Sequence, residues 1–152
     1  MKVQTWLALS NLIALFPLYR CWSRFGLNST PTIIVLNTIL ASILMHLSET
    51  KHGLIPRAEL VSLSQLLLNI DRGMALTATG WFGWYWWEQR RDSTPIILLL
   101  IGLVGSAIGE RTQNLFLYGL VHGVVWHGCA YIAMGMVVSL FYLILSDFFT
   151  HS

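Results

Sequence analysis

The chain has 152 residues and a formal net charge of +2, and its composition is 55% hydrophobic and only 11% charged. A soluble domain carries about a quarter charged residues, so this composition indicates an integral, multi-pass membrane protein and argues against a soluble one. Because the net charge is small and the basic residues are spread over the loops, nucleic acid is not expected as a partner. The length leaves room for a single domain, residues 1–152, in contact with the lipid bilayer.

Apolar stretches separated by short polar segments define the predicted architecture. A helix needs about 20 apolar residues to cross a bilayer, and the stretches approach or exceed this length. The sequence predicts an all-α, polytopic transmembrane helix bundle of about five spans. The predicted spans cover residues 3–21, 32–47, 58–87, 95–109 and 114–145.

The first two spans have recognisable ends. The first lies where a signal peptide would, but it ends in Tyr19-Arg20-Cys21-Trp22 without a small-x-small cleavage motif, so a retained helix is expected. Pro17 is expected to kink this helix near its end. Pro31 follows Thr30, and this order of a capping residue and a first-turn proline predicts the start of the second span.

The later spans carry packing signals. The aromatic run Trp81-Phe-Gly-Trp-Tyr-Trp-Trp87 ends the third span and is typical of the headgroup interface. Gly105 and Gly109 in the fourth span are four residues apart and favour close helix packing. The fifth span is long, and its glycines predict local distortion. They are Gly119, Gly123 and Gly128.

Some potentially reactive residues are interpreted as structural. Cys21 and Cys129 are too few for a disulfide framework, and we expect free thiols packed as small hydrophobic groups. His52 falls in a polar link and His151 in the tail, so neither is expected to take part in a site.

A polar set inside the apolar spans is the principal functional signal. Its members are Ser42, His46, Asp71, His122 and His127. An ionisable group at membrane depth costs several kcal/mol, so each is a candidate site residue by default. Ser42 and His46 share one helical face, and the predicted topology brings the whole set to the same half of the bilayer.

This set contains the groups of a catalytic zinc site. Three neutral imidazoles with an open fourth position are a typical ligand set for catalytic Zn²⁺, here His46, His122 and His127. Zinc lowers the pKa of a bound water toward neutral and polarises a carbonyl. Asp71 would accept a proton from that water or orient a histidine, and Ser42 would hydrogen-bond a developing oxyanion or hold the water.

Structural interpretations of the same residues remain open at this point. A single histidine in a membrane span is commonly a packed polar residue that bonds across helices. Serine is common at helix contacts, where it bonds the carbonyl of its own preceding turn, so Ser42 is the least specific member.

Several short motifs resemble one known superfamily. Ser42-Ile-Leu-Met-His46, the third-span Asp71 and a histidine pair in the last span resemble the CREST superfamily, which includes alkaline ceramidases and adiponectin/progestin receptors. Leu9-Ser-Asn-Leu-Ile-Ala-Leu-Phe-Pro17 and Leu66-Leu-Leu-Asn-Ile-Asp71 look most similar to its myomaker-like branch. The resemblance implies zinc ligands at His46 and His127, and a bundle two spans shorter than the family's usual seven.

His122 departs from the family pattern. The family's last histidines are four residues apart, whereas His122 and His127 are five apart, which turns them about 140° away from each other on an ideal α-helix. A π-bulge, which closes i→i+5, would restore the alignment, and Gly123 and Gly128 would permit one. Without such a bulge, His122 would not be a third ligand.

Two functions of different classes follow. The first is a zinc-dependent membrane hydrolase that cleaves an amide or ester bond of a membrane lipid, as a ceramidase does. The second is a non-enzymatic membrane protein of the same fold that acts as a scaffold, binds lipid or mediates membrane interaction. The irregular histidine spacing and the shortened bundle favour the second. A weaker third interpretation is an ion or proton pathway through Asp71 and the histidines.

Overall fold

A computed structural model describes residues 3–48, 61–89 and 93–150. Over these ranges the chain is helical and contains no strand, which confirms the all-α class. The α-helices are α1 (Val3–Ser10), α2 (Leu15–Phe25), α3 (Thr30–Ser48), α4 (Val61–Gln89), α5 (Thr94–Arg111), α6 (Leu115–Leu120) and α7 (His127–Thr150).

The first predicted span is interrupted just before Pro17. A 3₁₀ turn, Asn11–Ala14, separates α1 from α2, and the Ser10 and Asn11 side chains both donate to the Leu7 carbonyl just before it. Such side-chain bonds compete with regular helical pairing. Pro17 lies in the first turn of α2, and the carbonyl of Ile13, with which its missing N–H would have paired, lies within the 3₁₀ turn.

The loop between α2 and α3 is a tight turn held by hydroxyl groups. Gly26 takes a φ of 86°, which closes α2 after Phe25. The hydroxyls of Ser29 and Thr32 donate to the Gly26 carbonyl at 2.8 and 2.9 Å. The turn therefore returns α3 alongside the first two helices, and Pro31 lies in its first turn, as predicted.

The aromatic end of α4 packs partly inward. Trp81 stacks on Tyr85 with ring centroids 5.1 Å apart, and both rings meet the edge of Phe25 at the end of α2. Trp84 and Trp87 remain exposed, as interface tryptophans would. The predicted start of this helix at residue 58 lies outside the described residues.

Glycines on α5 allow it to approach the last helix closely. A Cβ on Gly105 would lie 2.8 Å from Val125 Cγ1, and one on Gly102 would lie 3.2 Å from Cys129 Cβ. A Cβ on Gly109 would lie 3.4 Å from His122 Cβ. The small-residue face predicted at Gly105 and Gly109 is therefore confirmed, and it packs directly on the segment that carries His122.

The last predicted span is one long helix with a change of pitch inside it. Asn114 caps its start, since its side-chain oxygen accepts from the amides of Phe116 and Leu117 at 3.0 Å. A π-helical turn, Val121–Trp126, joins α6 to α7, where the glycines predicted a distortion.

Two helices of the described residues are long and apolar enough to cross a membrane: Thr30–Ser48 and Leu115–Ser139. The apolar helix Thr94–Gly109 is shorter. By length and composition, membrane association is therefore supported at these two helices.

The contact between Gly105 and Val125 is testable by a single methyl group. Gly105→Ala would force Val125 aside, and overpacking of this kind costs about 1–3 kcal/mol. We expect a lower thermal unfolding temperature in detergent micelles. Gly80→Ala is the matched control, because nothing lies within 4 Å of the Cβ it would add and alanine favours helix. Equal unfolding temperatures for the two variants would contradict this packing.

Candidate metal centre

Three buried histidines meet inside the bundle. His46 projects from α3, His122 from the π-helical turn and His127 from the start of α7. Their rings form a nearly equilateral triangle, with centroids 5.1, 5.2 and 5.2 Å apart and edge-to-face orientations. One ligand nitrogen from each lies within 4.8 Å of the others, so the three residues are close enough to hold a metal ion.

The π-helical turn places His122 and His127 on the same face of the helix although they are five residues apart. The His127 amide donates to the His122 carbonyl, a bond from residue i+5 to residue i. This pairing adds one residue to the turn and brings side chains five apart onto the same face. The alignment that the sequence required for a third ligand is therefore present.

One pair of histidine nitrogens has the separation that a tetrahedral ion requires. His46 Nε2 and His127 Nε2 lie 3.4 Å apart. Two histidine nitrogens bound to tetrahedral zinc at about 2.0–2.1 Å from it would lie about 3.3–3.4 Å apart. The neutral imidazole is the ligating form, and three of them in an apolar interior suit a divalent transition metal.

Ser42 contacts His127, and Asp71 lines a cavity that two of the histidines also line. Ser42 Oγ is 3.5 Å from His127 Nε2 and is buried. Asp71 is half-buried on α4 and lines the same cavity as Ser42, His122 and His127. That cavity has a volume of about 200 Å³, and apolar side chains make up most of its wall.

The sequence interpretation missed the contribution of the first helix. Ser10 Oγ lies 2.7 Å from His127 Nδ1, whereas His46 Nε2 lies 3.4 Å from the other ring nitrogen, Nε2. Tyr131, one turn after His127, donates its hydroxyl to Asn11 Oδ1 at 2.6 Å. Ser10 and Asn11 are adjacent polar residues inside an apolar stretch, but neither is ionisable, so the rule that selected the histidines and Asp71 does not select them.

The remaining candidate residues behave as expected where they are described. Cys21 is buried in the hydrophobic core and Cys129 is partly buried, and both are free thiols. His52 and His151 lie outside the described residues.

Comparison with known proteins adds no relative. No family model matches the chain, and neither a curated protein nor a solved structure matches it. The functional argument therefore depends on the geometry of the site.

The π-helical turn can be tested by deletion. Removing Val124 would leave a four-residue histidine spacing, which a regular α-helix places on one face, so we expect metal binding and thermal stability close to those of the unaltered chain. Removing Ile132, in regular α7, would instead rotate the following residues, including core Val137 and Val138, by about 100°.

Val124 and Ile132 are both 42% exposed, so neither deletion removes a buried side chain. We expect the Ile132 deletion to lower the unfolding temperature clearly. A Val124 deletion as damaging as the Ile132 deletion would contradict the role given to the turn. Circular dichroism melts and bound metal by elemental analysis provide both measurements.

Proposed function

We propose that the protein is a zinc-dependent integral membrane hydrolase that cleaves an amide or ester bond of a membrane lipid. The observation that carries this proposal is the buried triangle of His46, His122 and His127, with ligand atoms within 4.8 Å of one another. A site of three histidine ligands and an open position is typical of catalytic zinc, whereas structural zinc sites are closed by four protein ligands.

The distribution of polar and apolar residues supports a membrane location. The outward face of α3 consists of exposed apolar side chains, while its inward face carries buried Thr38, Ser42 and His46. The outward residues are Ile33, Leu36, Leu40, Leu44 and Leu47. A buried polar row and an exposed apolar row on one helix are the reverse of the pattern of a surface helix in a soluble protein.

A five-span bundle is the topology that this proposal requires. The spans would be α1 with α2, then α3, α4 and α5, and finally α6 with α7. An odd number of spans places the two chain termini on opposite sides of the bilayer. The resemblance to the CREST superfamily favours this arrangement, since loss of an even number of spans keeps the three histidines in the same half of the bilayer.

Ser42 and Asp71 supply the groups that a hydrolytic site needs besides the ligands. Zinc would supply Lewis acidity, polarising the scissile carbonyl and allowing water to attack near neutral pH. The Asp71 carboxylate would accept the proton of the attacking water and then return it to the leaving group. The Ser42 hydroxyl, already within reach of His127, would donate to the carbonyl oxygen as negative charge develops there.

The cavity beside the histidines supports a lipid substrate. It passes between α3, α4, α5 and α7 and is lined by apolar residues that include Leu68, Phe82 and Met134. Its polar residues include Ser42, Asp71, His122 and His127. A hydrocarbon chain held along the apolar wall would place the bond that links it to the polar headgroup near the histidines.

Two observations favoured the non-enzymatic alternative, the irregular histidine spacing and the shortened bundle, and the first no longer does so. The alternative was favoured by a histidine spacing that an ordinary α-helix does not align, and the π-helical turn accommodates that spacing. A scaffold that binds no metal would also have no need for three imidazoles within 4.8 Å of one another in a buried site.

Metal content is the direct test of the proposal. Protein purified from membranes should hold close to one zinc per chain by elemental analysis. His46→Ala or His127→Ala should abolish both the bound metal and the release of fatty acid from vesicles that contain N-acyl and O-acyl lipids. His52→Ala is the histidine control and should keep both. Equal metal and equal activity in all three variants would reject the zinc site.

The Asp71→Asn variant distinguishes a hydrolase from a scaffold that only binds metal. Asp71→Asn removes the proton acceptor but none of the three ligands, so we expect zinc to remain while turnover falls about 10²–10⁴-fold. The assay is fatty-acid release measured by mass spectrometry, with zinc content measured on the same sample. Zinc without lipid turnover in the unaltered protein would assign the scaffold function instead.

A further inference from the structure

The Ser10 hydroxyl makes two short contacts but has only one hydrogen. Its oxygen lies 2.6 Å from the Leu7 carbonyl oxygen and 2.7 Å from His127 Nδ1. Two oxygens at 2.6 Å require a hydrogen between them, because otherwise their lone pairs would repel. The Ser10 hydrogen is therefore directed at Leu7, and the serine oxygen remains an acceptor for the imidazole.

This geometry determines which nitrogen of His127 carries the proton. If Ser10 accepts, His127 Nδ1 is the donor, and in the neutral ring Nε2 then holds a lone pair. Nε2 is the nitrogen that lies 3.4 Å from His46 Nε2 and 3.5 Å from Ser42 Oγ. The lone pair thus faces the centre of the histidine triangle, where a metal would bind.

The same helix also contacts the π-helical turn directly. The Trp6 indole N–H donates to the Gly119 carbonyl at 3.0 Å, close to where main-chain pairing changes from i+4 to i+5. A Cβ on Gly123 would lie 3.1 Å from Trp6 Nε1 and 3.4 Å from Ser10 Oγ. Glycine inside the turn therefore allows α1 to approach closely enough for Ser10 to reach His127.

We propose that Ser10 is a positioning residue for the metal centre, fixing His127 as the Nδ1–H tautomer with Nε2 directed at His46. This inference rests on the proposed metal site for its purpose, but the tautomer itself is a property of the metal-free protein. Hydrogen-bond partners of this kind behind a ligating histidine typically contribute about 10–100-fold to metal affinity.

The first experiment measures the tautomer without metal. Full-length protein labelled with ¹⁵N-histidine, in micelles and stripped of metal by a chelator, should show His127 protonated at Nδ1, with the signal assigned by its loss in His127→Gln. In Ser10→Ala, we expect the Nε2–H form to gain population, because Nε2 has Ser42 Oγ and His46 Nε2 as partners. Ser10→Thr keeps a hydroxyl and should keep the original tautomer.

Ser48→Ala is the matched control. The Ser48 hydroxyl also donates to a carbonyl three residues back, that of Met45 at 3.0 Å, as Ser10 does to Leu7. The Ser48→Ala variant should therefore show the effect that loss of such a hydroxyl has on the helix itself. We expect it to leave the His127 tautomer unchanged.

The second experiment measures metal affinity. Zinc competition against a chromophoric chelator should give a dissociation constant about 10–100-fold weaker for Ser10→Ala than for the unaltered chain, and no change for Ser48→Ala. An Nε2–H tautomer in the unaltered protein, or an unchanged tautomer in Ser10→Ala, would overturn the proposal. Absence of zinc binding together with the expected tautomers would reject the metal function and with it the positioning role, and only the tautomer assignment would stand.

Discussion

The site depends on bringing three imidazoles from two distant segments of the chain into one buried triangle. His46 lies on α3, and its partners lie more than seventy residues later, on either side of a π-helical turn. A regular α-helix would direct His122 away from His127. The extra residue in the turn removes this conflict, and it requires support from neighbouring helices because its main-chain pairing is less regular than that of the helices it joins.

Close packing around the turn supplies that support. On one side, α5 approaches through Gly105 and Gly109, where any larger side chain would meet Val125 or His122. On the other side, α1 approaches at Gly123 and contributes the Trp6 and Ser10 contacts. Each of these two interfaces therefore has glycine on one of its partners, and the missing side chain allows the helices to approach closely.

The polar interior is extended beyond the histidines by a second layer of hydrogen bonds. Asn11 accepts from Tyr131 and donates to the Leu7 carbonyl, which also accepts from Ser10. These bonds join the 3₁₀ turn of the first span to the first two turns of α7. A buried network whose members satisfy one another holds its neighbours rigidly, and this network borders the three histidines that are close enough to hold a metal ion.

The sequence by itself determined the helical class, the approximate helix bounds, the glycine face of α5 and the identity of the three histidines, because apolar run length, glycine spacing and rare ionisable residues are local signals. It also showed that His122 required a π-bulge. Only the tertiary structure decided that the bulge forms, because its cost is offset by contacts from α1 and α5, which are distant in sequence. The same reason explains Ser10: a serine in an apolar helix is common, and only the fold places its oxygen 2.7 Å from His127.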